Sequence, residues 1–127
     1  MLRDQKLWTW HVLAGLVILV LLGLHMTVMH LDGIFEARAL NPSDGKPIDW
    51  ANVVARGKTV FFPATYVVLL AAALFHGLYG LRNILFELGP PPGLKRAISV
   101  LFLLAGAGLF VVGTWAAIVS HGLAKAL

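Results

Sequence analysis

The chain has no cysteine among its 127 residues. That excludes disulfides, thiolate-held iron–sulfur clusters, thiolate ligation of haem and covalent CxxCH haem attachment. Any metal centre must therefore use histidine, methionine or oxygen ligands, or belong to a partner. Charge is scarce too. Charged residues make up 13% of the chain against 59% hydrophobic, and mean hydropathy is +0.84. Such a composition excludes a water-soluble domain and makes lipid the solvent for most of the chain. The small positive excess, +4, gathers at segment ends. That distribution suits topology control and lipid headgroup contact, and argues against nucleic acid as a partner.

What the chain does have is three long apolar runs, at about 7–31, 60–86 and 97–123. Each exceeds the roughly 20 residues needed to cross a hydrocarbon core of about 30 Å. The expectation is a single all-α transmembrane domain over residues 1–127: an integral membrane bundle of three helices, with a long outer loop between the first and second. The first run follows Arg3 and Lys6 as a secretory signal would. However, it is too long for a signal h-region, holds His11 and His25, and lacks a small-residue cleavage site. Trp8 and Trp10 open it in the place of an interfacial aromatic anchor. Pro63 falls in the first turn of the second span, where its missing N–H costs little. Gly89-Pro90-Pro91-Pro92-Gly93 breaks the chain between spans two and three and makes them antiparallel neighbours. Gly77, Gly80, Gly106 and Gly108 allow close helix approach.

The connection from Asp32 to Lys58 has a different character. Asn41-Pro42-Ser43-Asp44-Gly45 is a turn cluster, and Asp49-Trp50-Ala51-Asn52 is a place for a short interfacial helix to start. Its charges nearly cancel, Arg38, Lys46, Arg56 and Lys58 against Asp32, Glu36, Asp44 and Asp49. Arg3 and Lys6 face only Asp4, and Arg82, Lys95 and Arg96 face only Glu87. The positive-inside rule then puts the N-terminus and the proline-rich turn in the cytoplasm, with the long loop and the C-terminus outside.

Two histidines, His25 and His76, lie inside separate spans. An ionisable ring in hydrocarbon is costly and marks a functional site with a partner. For paired histidines in a small helical bundle that partner is iron, most often haem iron. At 1.5 Å per residue His25 stands about 26 Å from the cytoplasmic end of its span, and His76 about 12 Å from the same side. A difference of about 14 Å is too large for the two faces of one upright haem, so the two rings serve different haems. His11 and His25 are close to four turns apart and share a face. A self-contained two-haem bundle needs a matching pair on the second helix, but the position fourteen before His76 is Phe62. His30 and His121 fall near the outer interface and read as solvated residues. The bland alternative for His76 and His25 is a ring hydrogen-bonded within a helix interface.

From His76 the chain reads His-Gly-Leu-Tyr-Gly-Leu-Arg-Asn-Ile-Leu-Phe-Glu. This resembles the His-x3-Gly-x-Arg-x4-Asp signature of the membrane anchors of succinate:quinone oxidoreductases. His76, Gly80 and Arg82 fit it, and Glu87 replaces the aspartate. Trp8, Gly15, Gly23 and His25, followed by His76, a basic turn and a third span, resemble the C-terminal half of a single-chain two-haem cytochrome b of that family. The resemblance implies that His76 binds the proximal and His25 the distal haem b iron. It also implies that Arg82 and Trp8 lie near haem propionates. Only two of four axial ligands have counterparts here, so the implied arrangement is the split one, with a second membrane anchor subunit supplying the rest. Leu74 stands where some relatives carry a glutamate tied to proton movement.

The resemblance further implies an iron–sulfur subunit, a flavoprotein subunit and a membrane quinone, menaquinone by expectation, in the plasma membrane of a prokaryote. The chain would carry electrons between the iron–sulfur subunit and quinone in succinate dehydrogenase or fumarate reductase. It has no nucleotide-binding glycine pattern, so flavin chemistry belongs to a partner. His11, His30, Trp50 and Tyr66 are unranked candidates for the quinone. Three alternatives stay open: a single-haem anchor on His76, a cytochrome b subunit of another membrane oxidoreductase, and a non-haem structural subunit.

Overall fold

The computed structural model describes residues 2–30, 46 and 48–127. The turn cluster expected at Asn41 to Gly45 lies outside the described residues. Among the described residues there are four helices, α1 (Leu2–His30), α2 (Trp50–Lys58), α3 (Phe61–Glu87) and α4 (Pro92–Ala126), and no strand. α1, α3 and α4 are each long and apolar enough to cross a membrane. In hydrocarbon every polar group must be satisfied locally. Three threonine hydroxyls do this by donating back along their own helices, Thr9 to the Gln5 carbonyl at 3.0 Å, Thr27 to that of Gly23 at 2.8 Å and Thr65 to that of Phe62 at 2.9 Å, while the buried Thr114 hydroxyl has no partner among the described residues.

The helix ends follow from local chemistry. At the end of α3, Gly89 adopts φ +70 and its N–H donates to the Phe86 carbonyl at 3.1 Å. A residue just past a helix end in this left-handed region is ordinarily glycine, because a Cβ is strained there. Pro90 and Pro91 follow, and Pro92 opens α4, where a missing N–H leaves no bond unmade. α2 is a short helix at the place expected near Asp49, though the Asp49 side chain makes no capping bond. The Asn52 amide instead donates to the Lys46 carbonyl at 2.8 Å. Thr59 stops α2, with both its N–H and its hydroxyl donating to the Arg56 carbonyl.

The spans form a layer rather than a closed triangle. α3 is central and touches α1 on one side and α4 on the other, while α1 and α4 do not meet among the described residues. Close approach of α3 and α4 runs over glycines. A Cβ on Gly106 would come 2.8 Å from Leu78 Cδ1, and one on Gly113 would collide with Leu70. α2 lies against the C-terminal end of α4 and the start of α3. His121 of α4, expected to be a solvated residue, is half-buried: its Nδ1 donates to the Gly57 carbonyl at 2.6 Å. Gly57 sits so close that a Cβ there would meet Ala124 Cβ at 2.9 Å. His30 is exposed, in keeping with the expectation for it.

Candidate functional site

α1 and α3 each carry the pattern His-x3-Gly: His11 with Gly15, and His76 with Gly80. The three-residue gap puts each glycine one turn after its histidine on the same face. The helices pack so that each histidine lies over the other helix's glycine. A Cβ on Gly15 would stand 3.0 Å from His76 Cε1, and a Cβ on Gly80 would stand 3.1 Å from His11 Cε1. The two rings stack between the helices with centroids 4.1 Å apart and planes 8° from parallel. Tyr79 tilts against His11 at 5.3 Å and stacks on Phe75 at 5.6 Å.

The pairing is unequal in its hydrogen bonds. His76 Nδ1 lies 3.0 Å from the His11 backbone carbonyl. A carbonyl only accepts, so Nδ1 carries the proton, and in the neutral ring the lone pair falls on Nε2. That carbonyl already serves the α1 ladder through the Gly15 N–H; the absent Cβ of Gly15 lets a ring reach its second lone pair. Nε2 of His76 has no hydrogen-bond partner among the described residues. His11 is the converse case: its Nδ1 is buried with no partner.

His25 stands apart from this pair. Its ring meets Tyr66 edge-on at 5.7 Å, in an apolar pocket with Leu21, Val28, Phe62 and Leu69. It is half-buried and makes no hydrogen bond among the described residues. His76 is level with His11, whereas His25 is level with Tyr66. Tyr66 precedes His76 by about 15 Å of helix. The two rings therefore occupy the separate heights expected from span position alone.

Imidazole with Nδ1–H held by a backbone carbonyl and Nε2 bare is the arrangement that fixes a metal-ligating tautomer. His76 fits an axial ligand on that ground, whereas His25 has no such orienting bond among the described residues. Among the described residues no three His, Asp or Glu side chains converge to hold a metal ion. A metal centre here would need ligands from another chain or from a prosthetic group.

The structure does not bring Arg82 to the histidines. Its Nε donates to Ser99 Oγ on α4 at 3.0 Å and its Nη1 to Asn83 Oδ1 at 3.3 Å, with the guanidinium 4.2 Å over the Phe86 ring. It follows His76 by six residues, about 120° around α3, so it faces α4 while His76 faces α1. Trp8 precedes His11 by about one turn on α1 and is mostly exposed. Sequence reasoning missed the partnership of His11 with His76. The readable signal was the duplicated His-x3-Gly, which a search limited to histidines deep within the spans passes over.

No family model and no solved structure matches the chain. A curated relative does: the succinate dehydrogenase hydrophobic membrane anchor subunit of Archaeoglobus fulgidus is 30% identical over 108 residues, covering 85% of this chain and 83% of that protein. With three membrane-length helices and this relationship over most of its length, the chain belongs to the family of succinate dehydrogenase hydrophobic membrane anchor subunits.

Proposed function

We propose that the chain is a haem b-binding anchor that carries one axial ligand for each of two haems, His76 for the proximal and His25 for the distal. The observation that carries this is the state of His76: Nδ1–H donated to the His11 carbonyl, Nε2 bare, ring held flat by the His11 stack. When bound, haem b supplies one-electron transfer between an iron–sulfur subunit and a membrane quinone, menaquinone by expectation. The chain's own residues do the rest. His11 fixes the His76 tautomer through its carbonyl and the ring plane by stacking. Gly15 and Gly80 leave room for both rings. Trp8 lies one turn beyond His11, on the side where haem carboxylates are expected. Tyr66, Phe62 and Leu69 keep water from His25.

The remaining ligands come from a second membrane anchor subunit. The iron–sulfur and flavoprotein subunits dock on the cytoplasmic side of a prokaryotic plasma membrane, next to the N-terminus and the proline-rich turn. The test is a dithionite-reduced minus oxidised spectrum of the purified complex with haem quantitation, repeated on His25→Ala and His76→Ala. Each variant is expected to lose one haem, and a different one. Loss of neither, or of both from either change, would sink the assignment. A second reading, a single haem on His76, is favoured by one observation: no hydrogen bond orients His25 among the described residues. In that case the haem-to-complex ratio is one, and His25→Ala leaves the spectrum unchanged.

A further inference from the structure

A groove of about 420 Å³ runs between α3 and α4 and is open to the surface of the bundle. Its walls are almost wholly apolar, with Ala71 and Phe110 at one end and Arg82 and Ser99 at the other. From Arg82 to Ala71 is about 16 Å along α3, and Ser99 to Phe110 is the same length of α4. That matches the depth of one leaflet, half of a hydrocarbon core of about 30 Å.

Two cations touch one ring beside the polar end: Arg82, which lines the groove, and Lys95, one turn before Ser99 on α4. The Arg82 guanidinium lies 4.2 Å over the Phe86 ring, and Lys95 Nζ lies 5.6 Å from the centroid of the same ring. Arg82 is aimed by Ser99 Oγ and Asn83 Oδ1, both uncharged, and Ser99 is held in turn by the Lys95 carbonyl at 2.8 Å. Neither cation is paired with a carboxylate among the described residues. Neutral oxygens and a ring face orient a cation without cancelling its charge. A half-buried, uncancelled pair at the edge of hydrocarbon calls for an anion, and an adjoining apolar trough one leaflet deep calls for a chain attached to it.

We propose that this groove binds an anionic membrane lipid, its phosphate held by Arg82 and Lys95 and one hydrocarbon chain lying between α3 and α4. Basic sites between spanning helices take phosphate headgroups by this combination of charge and depth. The assignment is independent of the haem reading, because Arg82 faces α4 and not His76.

The test uses the purified complex in nanodiscs containing equal phosphatidylglycerol and phosphatidylcholine, with retained lipid counted by native mass spectrometry. Phosphatidylglycerol should be retained preferentially, and Arg82→Gln and Lys95→Gln should each lower the preference by about fivefold. Ala107→Phe, at a groove-lining position, should lower retention with both cations intact, which separates groove filling from loss of charge. Equal retention of the two lipids would overturn the proposal. So would loss of the preference in excess inorganic phosphate, which would make free phosphate the ligand. Retention of quinone in place of lipid, lost in the same variants, would also overturn it. Two further results would do so: haem loss in Arg82→Gln with lipid retention unchanged, or a cross-link from a single Leu103→Cys in this cysteine-free chain to a helix of another subunit.

Discussion

At the level of single residues, the environment of His76 depends on atoms that are missing. Gly15 and Gly80 leave the space the two rings fill, and the His76 proton bond reaches the α1 backbone only because Gly15 has no Cβ. Gly15→Leu should push the ring away, break the bond to the His11 carbonyl and destabilise the protein by roughly 1–3 kcal/mol through overpacking. Thermal unfolding in detergent reads this directly, and an unchanged melting temperature would contradict the packing described. His11→Ala removes the stacked partner but keeps the carbonyl. The expected loss is about 0.5–1.5 kcal/mol, the range for aromatic pairs, and His11→Phe should restore much of it. The depths of His25 and His76 were legible in the sequence because rise per residue converts position into height. The stacking of His11 on His76 was not, because the two residues are 65 apart in the chain and their contact depends on how two helices slide and rotate against each other. The direction of Arg82 was hidden for the same reason: the motif fixes its place along α3, while Ser99, seventeen residues on, decides which way it points.

Among the elements, α2 is the one whose role the sequence left open. Its start near Asp49 is written in local signals, while its stop at Thr59 is a finding of the structure. Its docking is not written locally either, since that depends on His121 reaching back to the Gly57 carbonyl and on the bare Gly57 meeting Ala124. His121→Ala leaves that carbonyl without its imidazole donor, at an expected cost of roughly 1–3 kcal/mol. Hydrogen exchange measured by mass spectrometry should show the α2 amides exchanging at least several-fold faster, with α3 unaffected. Equal acceleration throughout would mean that α2 is not held by this bond. The turn between α3 and α4 is the opposite case, since a glycine followed by three prolines sets both its sharpness and its place. Gly89→Ala forces a Cβ into a φ of +70 and should destabilise the protein by about 1 kcal/mol; an unchanged melting temperature would contradict that backbone reading.

For the molecule as a whole, the layer arrangement matters most. With α3 in the middle and α1 and α4 apart, most large apolar side chains of the spans face outward, and Val28, Ala124 and Arg56 are the only buried residues among those described. Outward apolar surface is ordinary in lipid, but a single layer leaves its helices little mutual packing. Expressed alone in detergent, the chain should self-associate by light scattering, and co-expression with the proposed second anchor should give a defined complex with a higher melting temperature. A monodisperse, equally stable lone chain would argue that the layer is self-sufficient. The number of spans, their lengths and the sharp turn could be read from the chain because each depends on neighbouring residues: a summed transfer energy over some twenty positions, or the conformational limits of glycine and proline. Which helix lies in the centre, which histidine leans on which, and which way Arg82 faces are properties of contacts between distant segments. Hydropathy carries no lateral information in a solvent that is equally apolar on every side, so those contacts are set by the fit of side chains into the gaps that glycines leave.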